Sequence, residues 1–91
     1  MKFRIRWTDK GMDHIARHGI SPREVNDALA GLVYHRKSGA TDTIIGGAGG
    51  RILFVVVEQS AERPSCVEVV TARLATRAEK RLFHRRGKVD R

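Results

Sequence analysis

Six consecutive apolar residues, Ile52-Leu53-Phe54-Val55-Val56-Val57, constrain this chain more than any other feature, because a short β-branched run of this kind fits a strand covered on both faces. Such a strand cannot sit at a surface. The rest of the chain must therefore supply neighbouring strands, and helices to pack against them, around residues 51–58. The run is far too short to cross a bilayer, so no membrane span is expected.

Helix starts are marked twice. Ser21-Pro22-Arg23-Glu24 places a hydroxyl at the N-cap, proline at the first helical position and Glu at the third, which predicts a helix whose apolar stripe is Val25, Ala28, Leu29 and Leu32 and whose end lies near residue 30, at Gly31. Thr76 and Glu79 repeat the pattern ahead of Ala78, Leu82 and Phe83, predicting a last helix with Ala75 at its edge. An earlier helix is expected over 9–18, from Met12, Ile15 and Ala16 at helical spacing with Gly19 closing it. Phe3, Ile5 and Trp7 alternate with Lys2, Arg4 and Arg6, the pattern of a first strand with one core face and one basic face. Further strands are expected at 33–37, 43–45 and 66–71, with glycine-rich 46–50 as a flexible hairpin connection. The predicted order is strand, helix, helix, four strands, helix: an α+β fold with a single curved antiparallel sheet and its helices on one face. Ninety-one residues suffice for one core, so one domain is expected over 1–91, with 87–91 as a flexible tail.

The net charge of +8 is unevenly placed. Residues 1–23 hold six basic and two acidic side chains, 24–72 hold four and six, and 73–91 hold eight and two, so the ends carry +4 and +6 while the middle carries −2. A patch built where the two ends meet would suit a phosphate-rich partner; solvated helix faces would give the same count without one. The single cysteine, Cys66, reads as a small core residue, and with no charged-then-apolar leader ahead of the first strand it favours a reducing, cytoplasmic setting.

Most candidate chemistry gives way to a plainer reading. The 46–50 glycines lack the Gly-Lys-Ser/Thr ending of a phosphate loop and lie between strands. His14 and His18 share a helix face but have no further ligands at metal-site spacing, so neither a metal nor a cofactor is expected; His18 suits the helix C-terminus. No serine carries a nucleophile-elbow sequence. Arg73 stands out, because arginine grips a phosphodiester in bidentate fashion and this one immediately precedes the basic helix; a salt bridge to Glu58, Glu68 or Glu79 is the competing reading. That helix presents Arg77, Lys80, Arg81, His84 and Arg85. RNA carries its own nucleophile, the 2′-hydroxyl, so cleavage without a metal needs orientation, a proton acceptor and donor, and cations beside the phosphorus. Arg73, Lys80 and Arg81 could hold the phosphate, and His84 is the preferred proton carrier because histidine titrates near neutral pH, with His35 second. Arg4, Arg6, Arg77, Arg85 and His35 complete the expected RNA contact.

Trp7-Thr8-Asp9, Arg17-His18-Gly19-Ile20, the strand Leu53-Phe54-Val55-Val56 and, most specifically, Thr71-Ala72-Arg73 with Ala75-Thr76 and Glu79 resemble the BrnT-type toxins of the broad RelE/ParE-like superfamily. The likeness spans about residues 3–86. It implies a metal-independent ribonuclease that inhibits translation, held in check by a cognate antitoxin that covers a sheet face and carries a ribbon-helix-helix DNA-binding element. Arg73 and Glu79 match its motif, and Arg81 falls at a commonly basic position. His14 stands where the family usually has Asn, and Phe83 where it usually has Tyr, so one hydroxyl is missing. Two other functions remain open: a toxin of similar fold acting on a protein such as DNA gyrase, and a nucleic-acid-binding module without catalysis. The scarcity of aromatic residues weighs against the last, since single-strand binders usually stack bases on rings.

Overall fold

Three helices and a four-stranded antiparallel sheet make up the computed structural model, which describes residues 3–85; the tail expected over 87–91 lies outside the described residues. In chain order they are α1 (Asp9–Arg17), α2 (Pro22–Ala30), β1 (Val33–Ser38), β2 (Thr41–Ala48), β3 (Arg51–Gln59), β4 (Val67–Leu74) and α3 (Arg77–Arg85). The strands lie in sequence order, each antiparallel to the next. Among the described residues no helix is long and apolar enough to cross a membrane.

The helix ends form as their residues dictate. Thr8 accepts from the Gly11 amide at 3.0 Å to open α1, and Gly19, at φ 70°, closes it while the Ile20 amide reaches back to the Ile15 carbonyl at 3.0 Å. Ser21 and Glu24 exchange both bonds of a capping box at 3.1 and 3.0 Å, and Thr76 and Glu79 do the same ahead of α3 at 3.2 and 2.8 Å.

Alternate residues of β3 divide between two environments. Leu53, Val55 and Val57 are fully buried with Ile44 and Ala72 of the flanking strands, under Ile15 of α1 and Val25, Ala28 and Leu29 of α2. Ile52, Phe54 and Val56 point to the other face and are half-buried. Two neighbouring glycines show how closely both faces are approached. A Cβ on Gly46 would overlap the Ala28 carbonyl of α2, whereas one on Gly47 would point away and meet the Phe83 ring of α3 at 3.8 Å. The helices thus lie on both faces of the sheet, not on one as expected: α1 and α2 on the first, α3 on the second.

Other expectations shift for local reasons. The glycine stretch is mostly strand, because Gly46, Gly47 and Ala48 pair with Leu53, Ile52 and Arg51; the turn is only Gly49-Gly50, at φ 54° and 81°. The expected first strand is an extended segment with one parallel bridge, Ile5 to Val67, held by Arg6 N–H to Val67 O at 2.8 Å and Val67 N–H to Arg4 O at 2.7 Å. It cannot lengthen, since β4 begins at Val67 and the segment turns into the α1 cap at Thr8. Leu32 falls beyond the end of α2 and is 79% exposed, and Cys66 is half-buried just ahead of β4 instead of in the core.

The glycine pair gives a paired prediction. Gly46→Ala should destabilise the fold by about 1–3 kcal/mol, the scale of an overpacked site, which lowers the melting temperature by several degrees. Gly47→Ala should be tolerated, so thermal melts of the two variants separate the buried face from the second one.

Candidate nucleic-acid interface

α3 is built to be basic on one arc and adhesive on the other. With successive residues about 100° apart around a helix, Glu79, Leu82 and Phe83 share the arc turned to the sheet, and Arg77, Lys80, Arg81, His84 and Arg85 share the opposite arc. All five basic side chains are exposed, and none makes an ion pair among the described residues. Elsewhere the cations divide: Arg6, Lys37, Arg51 and Arg73 are each tied to a carboxylate, whereas Arg4, Lys10, Arg17, Arg23, Arg36 and Arg63 make no ion pair among the described residues.

Arg73 anchors that helix. Its guanidinium donates to both Glu79 oxygens, at 2.8 and 2.9 Å, and to the Leu74 carbonyl at 3.1 Å, while its carbon sits 4.1 Å over the ring of Phe54, its cross-strand partner. The hydrogen bonds from Arg73 hold the Glu79 carboxyl below its usual range, and the Thr76 amide adds to the effect; the same pair raises Arg73 further above its ordinary value. Of the salt bridges open to Arg73, the structure selects Glu79.

Two depressions flank α3. On one side Tyr34, Arg36 and Thr43 of β1 and β2 meet Phe54, Glu79 and Leu82 around a groove of about 380 Å³. On the other, Lys80 and His84 face Arg51, Ile52 and Leu74 across a cleft of about 430 Å³. The expected catalytic set is thereby divided. Lys80 and His84 share a cleft; Arg73 lies beneath the helix, locked to Glu79; Arg81 is on the outer arc.

The terminal cations do not meet. Ile5 bridges β4 while Phe3 reaches His35 of β1 and Arg4 lines a pocket with Asn26, Leu29 and Ala30, so this segment lies with α2 on the first face, whereas α3 rests on β1 and β2 on the second face. Arg6 is bonded to Glu62 at 2.8 Å and Glu68 at 2.9 Å, and Arg4 is exposed. His35 is also misplaced by the expectation. It pairs with Ile44 and so points to the α1 and α2 side, edge-on to Phe3, with Nε2 3.1 Å from Asp42 Oδ2 but outside hydrogen-bond geometry. Its neighbours Tyr34 and Arg36 occupy the α3 side instead, as strand alternation requires. Arg77 and Arg85 lie on the basic arc as expected. Among the described residues no three His, Cys, Asp or Glu side chains are grouped to hold a metal ion.

The chain matches no family model, no curated protein and no solved structure.

Because Glu79 is ionised more readily in the folded chain than in the unfolded one, its bond stabilises the fold fully above the ordinary Glu range, near ~4.3, and is lost as pH falls through the lowered folded value. Glu79→Gln keeps the capping amide and removes the charge. At neutral pH it should cost about 1–2 kcal/mol, allowing for a partly exposed guanidinium. Melts taken from pH 7 down to pH 2 should show the variant and parent curves converging in acid.

Proposed function

We propose that this chain is a toxin-type ribonuclease that engages RNA along α3, acts in the cytoplasm and is neutralised by a cognate antitoxin. The observation that carries the reading is the basic arc of α3, five exposed basic side chains in nine residues with no ion pair among the described residues, set beside two depressions. Phosphate contacts of this kind supply the sequence-independent part of RNA affinity. The resemblance of Thr71-Ala72-Arg73 and Ala75-Thr76 with Glu79 to the BrnT-type toxins supports the same reading.

Cleavage would proceed by attack of the 2′-oxygen on its own phosphorus. A bond from the 2′-oxygen to phosphorus forms, the bond to the 5′-oxygen breaks, and a 2′,3′-cyclic phosphate remains. One proton leaves the 2′-hydroxyl and one reaches the departing 5′-oxygen, the exchange assigned to His84. Lys80 lines the same cleft and would oppose charge on the phosphate, with Arg81 on the adjoining arc. Arg73 acts from beneath, by fixing α3. A second reading, RNA binding without cleavage, draws on one observation: the Arg73 fork is occupied by Glu79 and does not share the cleft of Lys80 and His84.

Induced expression in a bacterial host should arrest growth and leave RNA fragments ending in 2′,3′-cyclic phosphate. His84→Ala should abolish those ends while retaining RNA binding, and Lys80→Ala with Arg81→Ala should weaken binding and flatten its salt dependence by roughly 0.7 per lost phosphate contact. Arrest with intact RNA rejects the ribonuclease. RNA binding without arrest or fragments selects the second reading.

A further inference from the structure

The groove on the β1 side of α3 holds groups that a phosphate-binding surface alone does not need. Strand register sets Tyr34, Ile45, Phe54 and Arg73 in one row across the sheet, and Arg36, Thr43, Val56 and Thr71 in a second row. Both rows face α3, because Arg73 ends the first with its fork on Glu79 and strand residues two apart share a face. Tyr34, Arg36, Thr43, Ile45 and Phe54 accordingly line the groove, with Leu82 of α3 as its other wall.

The floor is apolar, since Ile45 is fully buried between half-buried Tyr34 and Phe54. The hydroxyls of Tyr34 and Thr43 are engaged by no other residue among the described ones. The charge of the groove is unbalanced. Its one carboxylate, Glu79, is taken up by Arg73 and the Thr76 amide, whereas Arg36 is exposed and makes no ion pair among the described residues. A volume of about 380 Å³ lies within the range of small-ligand pockets. An apolar floor, free hydroxyls and one uncompensated guanidinium suit a flat ring with a polar edge joined to an anion, which is the makeup of a nucleotide. Arg36 stands two residues from Tyr34, about 7 Å along the strand, close enough to meet a phosphate attached to a ring seated there. Duplex RNA keeps its bases paired and stacked inside the helix, so the occupant is an unpaired base.

We propose that this groove seats one unpaired base of single-stranded RNA, with the Tyr34 ring stacked on the base and Arg36 on the adjoining phosphate. The proposal rests on the RNA-directed reading above and adds to it how the strand is held on the side of α3 away from Lys80 and His84. Phosphates follow the basic arc, and one base turns down into the groove. The Arg73 guanidinium already lies 4.1 Å over the Phe54 ring, which leaves Tyr34 as the stacking ring. One ring placed in this way meets the shortage of aromatic residues, because a single base needs no more.

The test measures fluorescence anisotropy of the full chain with two probes: a single-stranded oligoribonucleotide that is 2′-O-methylated throughout and cannot be cleaved, and an abasic strand of equal length. The parent chain should bind the base-bearing strand about tenfold more tightly, the scale of one stacked base. Tyr34→Leu, which keeps apolar bulk against α3 but removes the ring, should erase most of that preference and leave abasic binding unchanged. Tyr34→Phe should retain the preference. Arg36→Ala should weaken both probes alike, whereas Lys37→Ala, the same loss of charge on the opposite face, should alter neither; circular dichroism melts verify that each variant folds. RNA binding that shows no base preference, or one that survives Tyr34→Leu, overturns the base seat and leaves the RNA-directed reading standing. A parent chain that binds neither strand overturns both.

Discussion

The fork between Arg73 and Glu79 decides where the functional surface lies. α3 has no buried residue, so packing alone holds it weakly; its grip on the sheet comes from Leu82, from Phe83 over Gly47 and from this bidentate pair. Glu79 serves two partners at once, capping the Thr76 amide and receiving Arg73. Helix initiation and helix docking are thereby one event. Without it, the basic arc would belong to a nine-residue helix too short to persist alone in water.

A strongly cationic chain must also limit its own repulsion. Here the carboxylates are distributed to do so at the sheet margins: Glu62 and Glu68 on Arg6, Asp42 on Lys37, Glu24 on Arg51. Glu68 further accepts from the buried Ser60 at 2.7 Å, so the loop before β4 is fastened through the same group. α3 alone spends its single carboxylate inward. The consequence is that α3 carries a dense run of basic side chains outside any ion pair among the described residues, while elsewhere the unpaired cations are scattered.

Much of the architecture was legible because it is written in local chemistry. Caps at Ser21 and Thr76, Gly19 after α1 and the apolar run of β3 each specify their element within a few residues. What escaped depended on side chains that are absent or on distances the sequence does not carry. Gly46 and Gly47 read as a flexible turn because glycine hides the alternation of a strand; only the approach of α2 on one side and α3 on the other reveals why no larger residue stands at Gly46. The first strand looked complete from its alternation, but its length is set by the start of β4. His35 looked like a site residue by type, and the register with Ile44 turns it to the wrong face, bringing up Tyr34 and Arg36 instead. The meeting of the two basic ends was an inference from charge along the chain, and the sheet separates them, with the first segment beside α2 on one face and α3 on the other.

That separation changes how the individual residues bear on function. Arg73 is inseparable from the fold, because its replacement would free Glu79, weaken the α3 cap and release the helix together. Any loss of activity there mixes chemistry with docking. Lys80, Arg81 and His84 stand on the solvent side of α3 and contribute no ion pair to the structure, so their replacement leaves the helix seated. Binding and proton transfer can vary on that arc at little cost to stability, while the anchor beneath it is held constant. The helix thus separates a surface free to adapt to its ligand from a fork that cannot change without unseating it.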